Sequence, residues 1–343
     1  MKVLLTGGLG FIGSHTAVAL AAAGHEPVLF DNLSNSSPTV VKRVSQITGR
    51  SVSCVIADVR DASAVRKAMD DERVEAVVHF AALKAVAESV SSPLSYHANN
   101  VGGLLSLLEA MDDVGVRDIV FSSSATVYGE PHELPIDENH PTSAVNPYGR
   151  TKLICEQILS DLTRGSGEWR VSLLRYFNPV GGHPSGLIGE SPLGKPNNLM
   201  PLLVRAAQKT GSGAHLSVFG TDYPTTDGSA VRDYVHVVDL AEGHVAALDR
   251  LATGDALQIY NLGTGRGTSV LELLAAFEKA NNVAVPHVSA PRRDGDVAAM
   301  FASVDKAQRE LGWRAQRGIE EMCLDSWLFA TKSHSDLGGA LPV

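Results

Sequence analysis

Apolar residues in the first half of the chain fall into short, nearly continuous runs, separated by stretches with helical spacing. A strand covered on both faces requires such a run, and a covering helix requires apolar residues three or four apart. The runs predict strands at Val3–Thr6, Pro27–Phe30, Val52–Ala57, Ala76–Phe80, Asp118–Ser122 and Val171–Tyr176. The intervening stretches predict helices near Ile12–Ala23, Ala62–Met69, Pro93–Met111 and Pro147–Thr163. This alternation predicts an α/β fold built on a Rossmann-like, doubly wound parallel sheet.

The pattern changes after about residue 178. Gly, Pro and Asn are frequent over 179–198, and a further strand at Gln258–Leu262 and a helix at Val270–Ala280 follow. We therefore predict a first domain over 1–178, with returning segments near 230–262. A smaller C-terminal α/β lobe is predicted over most of 179–343.

Composition narrows the class of protein. The chain has 343 residues, enough for a large core, and its net charge of −9 argues against a nucleic-acid partner or an acidic membrane. It has no apolar run of membrane-spanning length and no signal-peptide pattern. Cys54, Cys155 and Cys323 lie far apart without a CxxC pair, so we expect free thiols, no metal site and a cytoplasmic location.

The segment GGLGFIG joins the first predicted strand to the first predicted helix. Gly7, Gly10 and Gly13 allow a tight turn, a close approach of the backbone to a pyrophosphate and close packing of the helix. Asp31 follows at the end of the second strand, where a carboxylate accepts hydrogen bonds from ribose hydroxyls and repels a 2′-phosphate. The pattern therefore predicts NAD rather than NADP, with Asp58, after the third strand, near the adenine.

Tyr148 and Lys152 lie four residues apart in PYGRTK and so share one helix face. A free tyrosine has a pKa near ~10 and is a poor base at neutral pH. A neighbouring ammonium and a positive nicotinamide ring would stabilise its phenolate. Ser124 follows the fifth strand and would bind the substrate oxygen. These three residues predict a proton-transfer site beside the cofactor.

Several further motifs carry a resemblance: HFAALKAVAES, FSSSATVYGE, LRYFNPVG, NNLMP, VRDYVHVVDL and PRRDGD. From Lys2 to about Trp313 the chain resembles the UDP-glucose 4-epimerases, which are extended short-chain dehydrogenases/reductases. With the motifs above, this resemblance implies cofactor contacts from Gly7, Gly10, Phe11, Ile12, Gly13, Asp31, Asn32, Asp58, Val59, Phe80, Ala81, Ala82, Lys84, Asn99, Ser122, Tyr148, Lys152 and Tyr176. It implies substrate contacts from Lys84, Ser124, Ala125, Thr126, Tyr148, Phe177, Asn178, Asn198, Leu199, Phe219, Arg232, Tyr234, Arg293, Asp296 and Met300.

The resemblance also implies a mechanism and an assembly. Tyr148 removes the proton of the sugar 4-hydroxyl while hydride passes to NAD, the 4-keto sugar turns over, and hydride returns to the other face. Arg232 and Arg293 match the UDP pyrophosphate, although an ion pair between Arg232 and Asp233 is an alternative. We expect NAD to co-purify with the protein, and a homodimer.

Rival functions remain at this point. Nucleotide-sugar dehydratases and decarboxylases resemble a pattern with acidic residues after the catalytic hydroxyl, whereas Ala125 and Thr126 follow Ser124 here. Glu133, Asp137 and Glu138 are predicted to be solvated. A non-catalytic NAD sensor would have no need of the Tyr148 group. Met300 lies where the family closes its sugar pocket, so acceptance of N-acetylated sugars stays open. The sequence also does not separate UDP-glucose from UDP-glucuronate or UDP-xylose.

Overall fold

A computed structural model describes residues 1–194, 196–210, 215–293 and 295–336. Its strands are β1 (Lys2–Thr6), β2 (Glu26–Asp31), β3 (Ser53–Ile56), β4 (Ala76–His79), β5 (Asp118–Ser124), β6 (Arg170–Tyr176), β7 (Asn178–Val180), β8 (Leu216–Phe219), β9 (Val231–Arg232), β10 (Tyr234–His236), β11 (Leu257–Leu262), β12 (Thr268–Ser269), β13 (His287–Ala290) and β14 (Ala299–Met300). Its helices are α1 (Phe11–Ala22), α2 (Thr39–Thr48), α3 (Ala62–Glu72), α4 (Val86–Ser91), α5 (Pro93–Tyr96), α6 (Gly102–Val114), α7 (Pro147–Ser166), α8 (Leu199–Gln208), α9 (Val237–Leu251), α10 (Val270–Asn281), α11 (Asp305–Leu311) and α12 (Ile319–Asp336).

Seven of the described strands form one parallel sheet in the order β11-β6-β5-β4-β1-β2-β3. Side chains alternate across it, so Val3 and Leu5 of β1 face one side and Leu4 faces the other. Val3 and Leu5 belong to a core with Leu20 of α1, and Leu4 belongs to a second core with Leu107 of α6. Helices thus cover both faces, which confirms the predicted fold class.

The predicted helix Pro93–Met111 is helical throughout, but a π turn interrupts its regular α-helical hydrogen bonding. After α5 the chain makes a wider π turn over His97–Val101, and α6 begins only at Gly102. The extra residue in a π turn redirects a side chain. Here Asn100 is buried, and it accepts from the main-chain nitrogen of Leu83 at 2.8 Å and donates to its oxygen at 3.0 Å. The turn therefore anchors the loop that follows β4.

The later segments serve both parts of the molecule. β11 completes the main sheet beside β6, and α9 lies against α1. The described strands outside the main sheet form two two-stranded sheets, β10 with β7 and β13 with β8. They also form one three-stranded sheet, in which β9 lies between β12 and β14. Helices α8, α10 and α12 enclose a separate apolar core that includes Leu203, Phe277 and Met322. Among the described helices, none combines the length and apolar character of a membrane span.

Candidate active site

The predicted cofactor residues lie at the carboxyl edge of the main sheet. β4 and β2 lie on either side of β1, so the chain leaves β1 in one direction and later returns on the other side. Ligands of open α/β sheets bind at such a switch point. At its base, the Thr6 hydroxyl lies 2.7 Å from Nδ1 of His79 and ties β1 to β4.

Glycines shape the turn between β1 and α1. Gly7 has a φ of 69°, and a Cβ there would lie 2.8 Å from the nitrogen of Ala81. A Cβ on Gly13 would lie 2.4 Å from the Gly7 oxygen. Gly10 is the N-cap of α1 without a capping side chain, and the first turn of α1 has no acidic residue. The amide groups of this helix end can therefore bind an anion, which the helix dipole favours.

Asp31 ends β2 beside this turn and is 7% exposed. Its Oδ2 accepts from the nitrogen of Leu9 at 3.0 Å, and its Oδ1 accepts from the nitrogen of Leu33 at 2.9 Å and from Ser36 Oγ at 2.8 Å. A carboxylate offers about four lone-pair sites, so one remains for a ribose hydroxyl. The turn, the helix end and Asp31 together fit NAD.

Asp58 and Asn32 lie together at the same edge. Asp58 accepts from Arg60 Nη2 at 2.8 Å and from Asn32 Nδ2 at 3.0 Å. The hydrogen bonds from Arg60 hold the Asp58 pKa well below its usual range. The other predicted cofactor residues lie at the first turn of α1 (Phe11, Ile12), after β3 (Val59), in the loop after β4 (Phe80, Ala81, Ala82, Lys84) and in the π turn (Asn99).

Tyr148 lies in the first turn of α7, and Ser124 is the last residue of β5. Pro147 at the first helical position and Asn146, whose side chain caps the helix, determine where α7 begins. Thr126 donates to Ser124 Oγ twice, from its nitrogen at 3.2 Å and from Oγ1 at 2.9 Å. Because a hydroxyl accepts at two sites and both are filled, the Ser124 proton remains for a hydrogen bond to the Tyr148 hydroxyl.

Burial and this hydrogen bond act oppositely on Tyr148. Burial raises the Tyr148 pKa, and the bond from Ser124 lowers it by stabilising the phenolate. Lys152, one turn later, is 3% exposed; its Nζ donates to the Ser122 oxygen at 2.6 Å and lies 4.9 Å from the Phe121 ring centroid. Burial lowers the Lys152 pKa from 10.5 to about 8, so the ammonium is still mainly charged at neutral pH and can stabilise a phenolate.

Replacing Lys152 by methionine is expected to stabilise the cofactor-free protein at neutral pH while it abolishes activity. The folded pKa is the lower one, so burying the ammonium costs at most about 3 kcal/mol below pH 8, and this cost disappears as the pH rises towards 10.5. Lost contacts with Ser122 and Phe121 offset part of the gain. Denaturant unfolding at pH 7 and at pH 10 measures the difference.

The exposed lysine Lys67, whose side chain is 74% exposed, provides the control. Lys67→Met should change the free energy of unfolding little at either pH. A Lys152→Met effect that is the same at both pH values would contradict the buried, charged lysine.

A buried ion pair that the sequence analysis missed lies behind these residues. Glu156, one turn after Lys152, accepts from Arg175 Nε at 3.0 Å and Nη2 at 2.7 Å, and both side chains are 5% exposed. Ser123 Oγ donates to Glu156, and Arg175 Nη1 donates to the Tyr128 hydroxyl at 3.0 Å. This network joins α7 to β5 and β6, so it determines how α7 presents Tyr148 and Lys152. The Tyr176 hydroxyl forms a hydrogen bond with Nε2 of His244, and the Ser122 side chain is a second hydrogen-bond neighbour of Tyr176.

Four predicted substrate residues from separate segments converge on one corner. Arg293 Nε donates to Asp296 at 3.0 Å, and its guanidinium lies 4.6 Å from the Phe219 ring centroid. Arg232 Nη2 lies 3.7 Å from the same carboxylate, and Nη1 donates to the Val297 oxygen at 2.9 Å. Two guanidinium groups beside an aromatic face suit the charge and shape of a nucleoside diphosphate.

The alternative ion pair between Arg232 and Asp233 is wrong. Asp233 lies between β9 and β10 and is fully buried, and its carboxylate accepts from the nitrogens of Thr264 at 2.8 Å, Gly265 at 3.0 Å and Ala302 at 3.1 Å. It holds the segments around the arginine and leaves the guanidinium to Asp296.

Met300 pairs with Arg232 along β14 and β9 and is half-buried. It packs against an apolar cluster that contains Ala125 and Phe177, both predicted substrate residues. Met300 therefore contributes both to this apolar cluster and to the surface beside Arg232.

Asn178 and Tyr234 pair on neighbouring strands. Asn178 is exposed in β7, opposite the buried Tyr234 of β10.

Glu190 is a further contact residue that was not predicted from the sequence. Its Oε1 accepts from Lys84 Nζ at 2.9 Å and from Asn198 Nδ2 at 2.6 Å. Asn198 precedes Leu199 and is the N-cap of α8. The only signal was a lone acidic residue within the Gly, Pro and Asn-rich stretch 179–198, and nothing local indicates its partners.

Glu138 is only partly solvated, contrary to the prediction. Its Oε1 accepts from the Asn261 nitrogen at 2.8 Å, and burial raises its pKa. Glu133 and Asp137 are exposed, as predicted.

The residues described include no group of three or more His, Cys, Asp or Glu arranged to hold a metal ion.

Comparison with known proteins agrees with this geometry. The sequence model of the NAD dependent epimerase/dehydratase family matches residues 3–263. UDP-glucose 4-epimerase of Bacillus subtilis (strain 168) is 57% identical over 327 residues, which cover 95% of this chain and 96% of the relative.

Two solved structures are similar over nearly their whole length. UDP-glucose-4-epimerase from Stenotrophomonas maltophila, with bound NAD and formylated UDP-arabinopyranose, has a TM-score of 0.95 and 48% identity, covering 98% of this chain and 99% of that one. The Bifidobacterium longum enzyme, in complex with NAD+ and UDP, has a TM-score of 0.93 and 48% identity, covering 97% and 98%. This chain therefore belongs to the NAD dependent epimerase/dehydratase family.

Proposed function

We propose that this chain is an NAD-dependent isomerase that interconverts UDP-glucose and UDP-galactose by inversion at carbon 4 of the sugar. The observation that carries the proposal is the group of Ser124, Tyr148 and Lys152 beside a dinucleotide cradle. The similarity to UDP-glucose 4-epimerases over nearly the whole chain supports the substrate.

In this proposal Tyr148 is the base that takes the proton of the 4-hydroxyl and later returns it. Lys152 supplies the positive charge that stabilises the phenolate, and Ser124 donates a hydrogen bond to it. When bound, NAD accepts a hydride from carbon 4 and gives it back. Arg232 and Arg293 would hold the pyrophosphate and leave the sugar ring free to turn over, as inversion requires.

The division of the chain is part of the proposal. Residues 1–178, with the return over 230–262, would hold NAD, and 179–343 would mainly hold the UDP-sugar. Ala125 and Thr126 after Ser124 carry no acid that could expel water, which favours an epimerase over a dehydratase. Three free thiols, Cys54, Cys155 and Cys323, support a cytoplasmic location.

Conversion of UDP-galactose to UDP-glucose by the purified protein, without added NAD, tests the function. We expect both sugars at equilibrium and NAD released on denaturation. A panel with UDP-N-acetylglucosamine, UDP-glucuronate and UDP-xylose, resolved by chromatography, defines specificity at Met300. If neither UDP-glucose nor UDP-galactose is converted, the proposed function is wrong.

A homodimer is also proposed, through an exposed apolar face on α4, α5 and α6. Val86, Val90, Leu94 and Leu105 are 43%, 64%, 83% and 45% exposed, and exposed apolar side chains on successive helices favour a protein partner. Leu94→Asp should shift the molar mass in light scattering from dimer to monomer. Val288→Asp, at an exposed apolar position on β13 outside this face, should leave the mass unchanged, and a wild-type monomer would contradict the proposal.

A further inference from the structure

Glu190 occupies a position between the two groups of predicted ligand residues. It follows a short turn in which Gly182 and Gly189 pair and the His183 nitrogen donates to the Ile188 oxygen at 3.0 Å. The turn carries the Glu190 carboxylate between Lys84 and Asn198, where its side chain is only 10% exposed.

One oxygen of Glu190 accepts hydrogen bonds from two separate segments of the chain. Lys84, from the loop after β4, reaches Oε1 at 2.9 Å, and Asn198, at the start of α8, reaches it at 2.6 Å. Asn198 is at the N-cap, yet its side chain does not cap α8. An asparagine at this position ordinarily accepts from the helix amides through its oxygen; here, among the described residues, the only side-chain hydrogen bond of Asn198 is the one that its Nδ2 donates to Glu190.

The same segment contacts the opposite side of the glycine turn. The Leu193 nitrogen donates to Asn35 Oδ1 at 3.1 Å, and Asn35 lies in the loop that follows β2. β2 and β4 flank β1 in the sheet. The segment from Glu190 to Leu193 therefore links the loops that follow β4 and β2, the two strands that flank β1.

We propose that Glu190 is a positioning residue that couples cofactor retention to nucleotide-sugar binding. It holds Lys84 at the cofactor and Asn198 at the nucleotide through one shared oxygen, so occupation of one site keeps the other site's residue in place. Lys84 keeps two ammonium protons for a ligand after it donates one to Glu190. The inference rests on the proposed contacts of Lys84, which the sequence assigns to both cofactor and substrate, and of Asn198, which it assigns to the substrate.

Glu190→Ala removes the shared acceptor, and Glu190→Gln keeps the shape but not the charge. Two quantities are measured: the rate at which bound NAD is lost during dialysis, and the ratio of UDP dissociation constants for NAD-stripped and NAD-loaded protein, from calorimetry. In the wild type we expect NAD to tighten UDP binding. In Glu190→Ala, NAD loss should accelerate by about tenfold or more, as for the loss of a charge-assisted hydrogen bond, and the UDP ratio should fall towards one.

Two controls separate positioning from general damage. Glu133→Gln, an exposed carboxylate in another loop, should retain the wild-type values. Lys84→Met by itself should accelerate NAD loss. In the Glu190→Ala background it should add little to that loss, because both substitutions remove the same contact. The inference is overturned if both Glu190 variants keep the wild-type rate of NAD loss and the wild-type ratio of UDP dissociation constants. It is also overturned if that ratio is one in the wild type, or if the effects of Glu190→Ala and Lys84→Met on NAD loss are fully additive. Because no readout requires turnover, it can fail or hold independently of the epimerase activity.

Discussion

Tyr148→Phe is expected to lower kcat for the conversion of UDP-galactose to UDP-glucose by roughly 10²–10⁴-fold, the range for loss of a general base. Phenylalanine fills the same space but cannot take the 4-hydroxyl proton or accept from Ser124. The ring stays at the start of α7, so UDP affinity and NAD content should change less than about twofold. Chromatography of the two sugars and assay of the released nucleotide measure both effects.

Tyr223 offers a matched control, because its hydroxyl is buried and has no hydrogen-bond partner in the described structure. Tyr223→Phe should therefore keep the wild-type kcat and stability. A Tyr148→Phe variant that keeps more than about a tenth of the wild-type kcat would exclude Tyr148 as the base, because a general base contributes at least about a hundredfold.

Glu156→Ala is expected to lower the free energy of unfolding by about 3–5 kcal/mol, because it leaves the Arg175 guanidinium buried without its counter-charge. The double variant Glu156→Met/Arg175→Met removes both charges and should recover most of that loss. Denaturant unfolding with a linear extrapolation measures each value.

The pair Arg66–Asp113 shows why burial and not distance decides this result. Its N–O distance is 2.6 Å, close to the 2.7 Å of Arg175–Glu156, but its side chains are 47% and 53% exposed. Asp113→Ala should cost less than about 1 kcal/mol. Equal losses from Asp113→Ala and Glu156→Ala would refute the burial argument.

Much of the cofactor site could be predicted because its chemistry is local. A strand, the turn at Gly7, Gly10 and Gly13, and a helix are consecutive in the chain, and their geometry follows from backbone sterics. Tyr148 and Lys152 share a helix face through the helical repeat alone. The alternation of apolar runs likewise determines the parallel sheet, whose strand bounds agree to within a few residues.

Side-chain partners were not predictable in the same way. The π turn at Asn100, the burial of Glu138 and the choice of Asp296 rather than Asp233 by Arg232 each depend on a segment distant in the sequence. Which acceptor a donor finds depends on how loops approach after the sheet has formed, and no local spacing records that approach.

The sequence alone therefore determined the fold class, the dinucleotide turn and the Tyr148–Lys152 pair, because each arises from residues close in the chain. Only the tertiary structure decided how these parts are held. It placed Arg175 against Glu156 behind the pair, and it placed Glu190 between Lys84 and Asn198, which lie 106 and 8 residues from it in the chain. Contacts between residues this far apart form only after folding has brought the charges together, and burial then strengthens them.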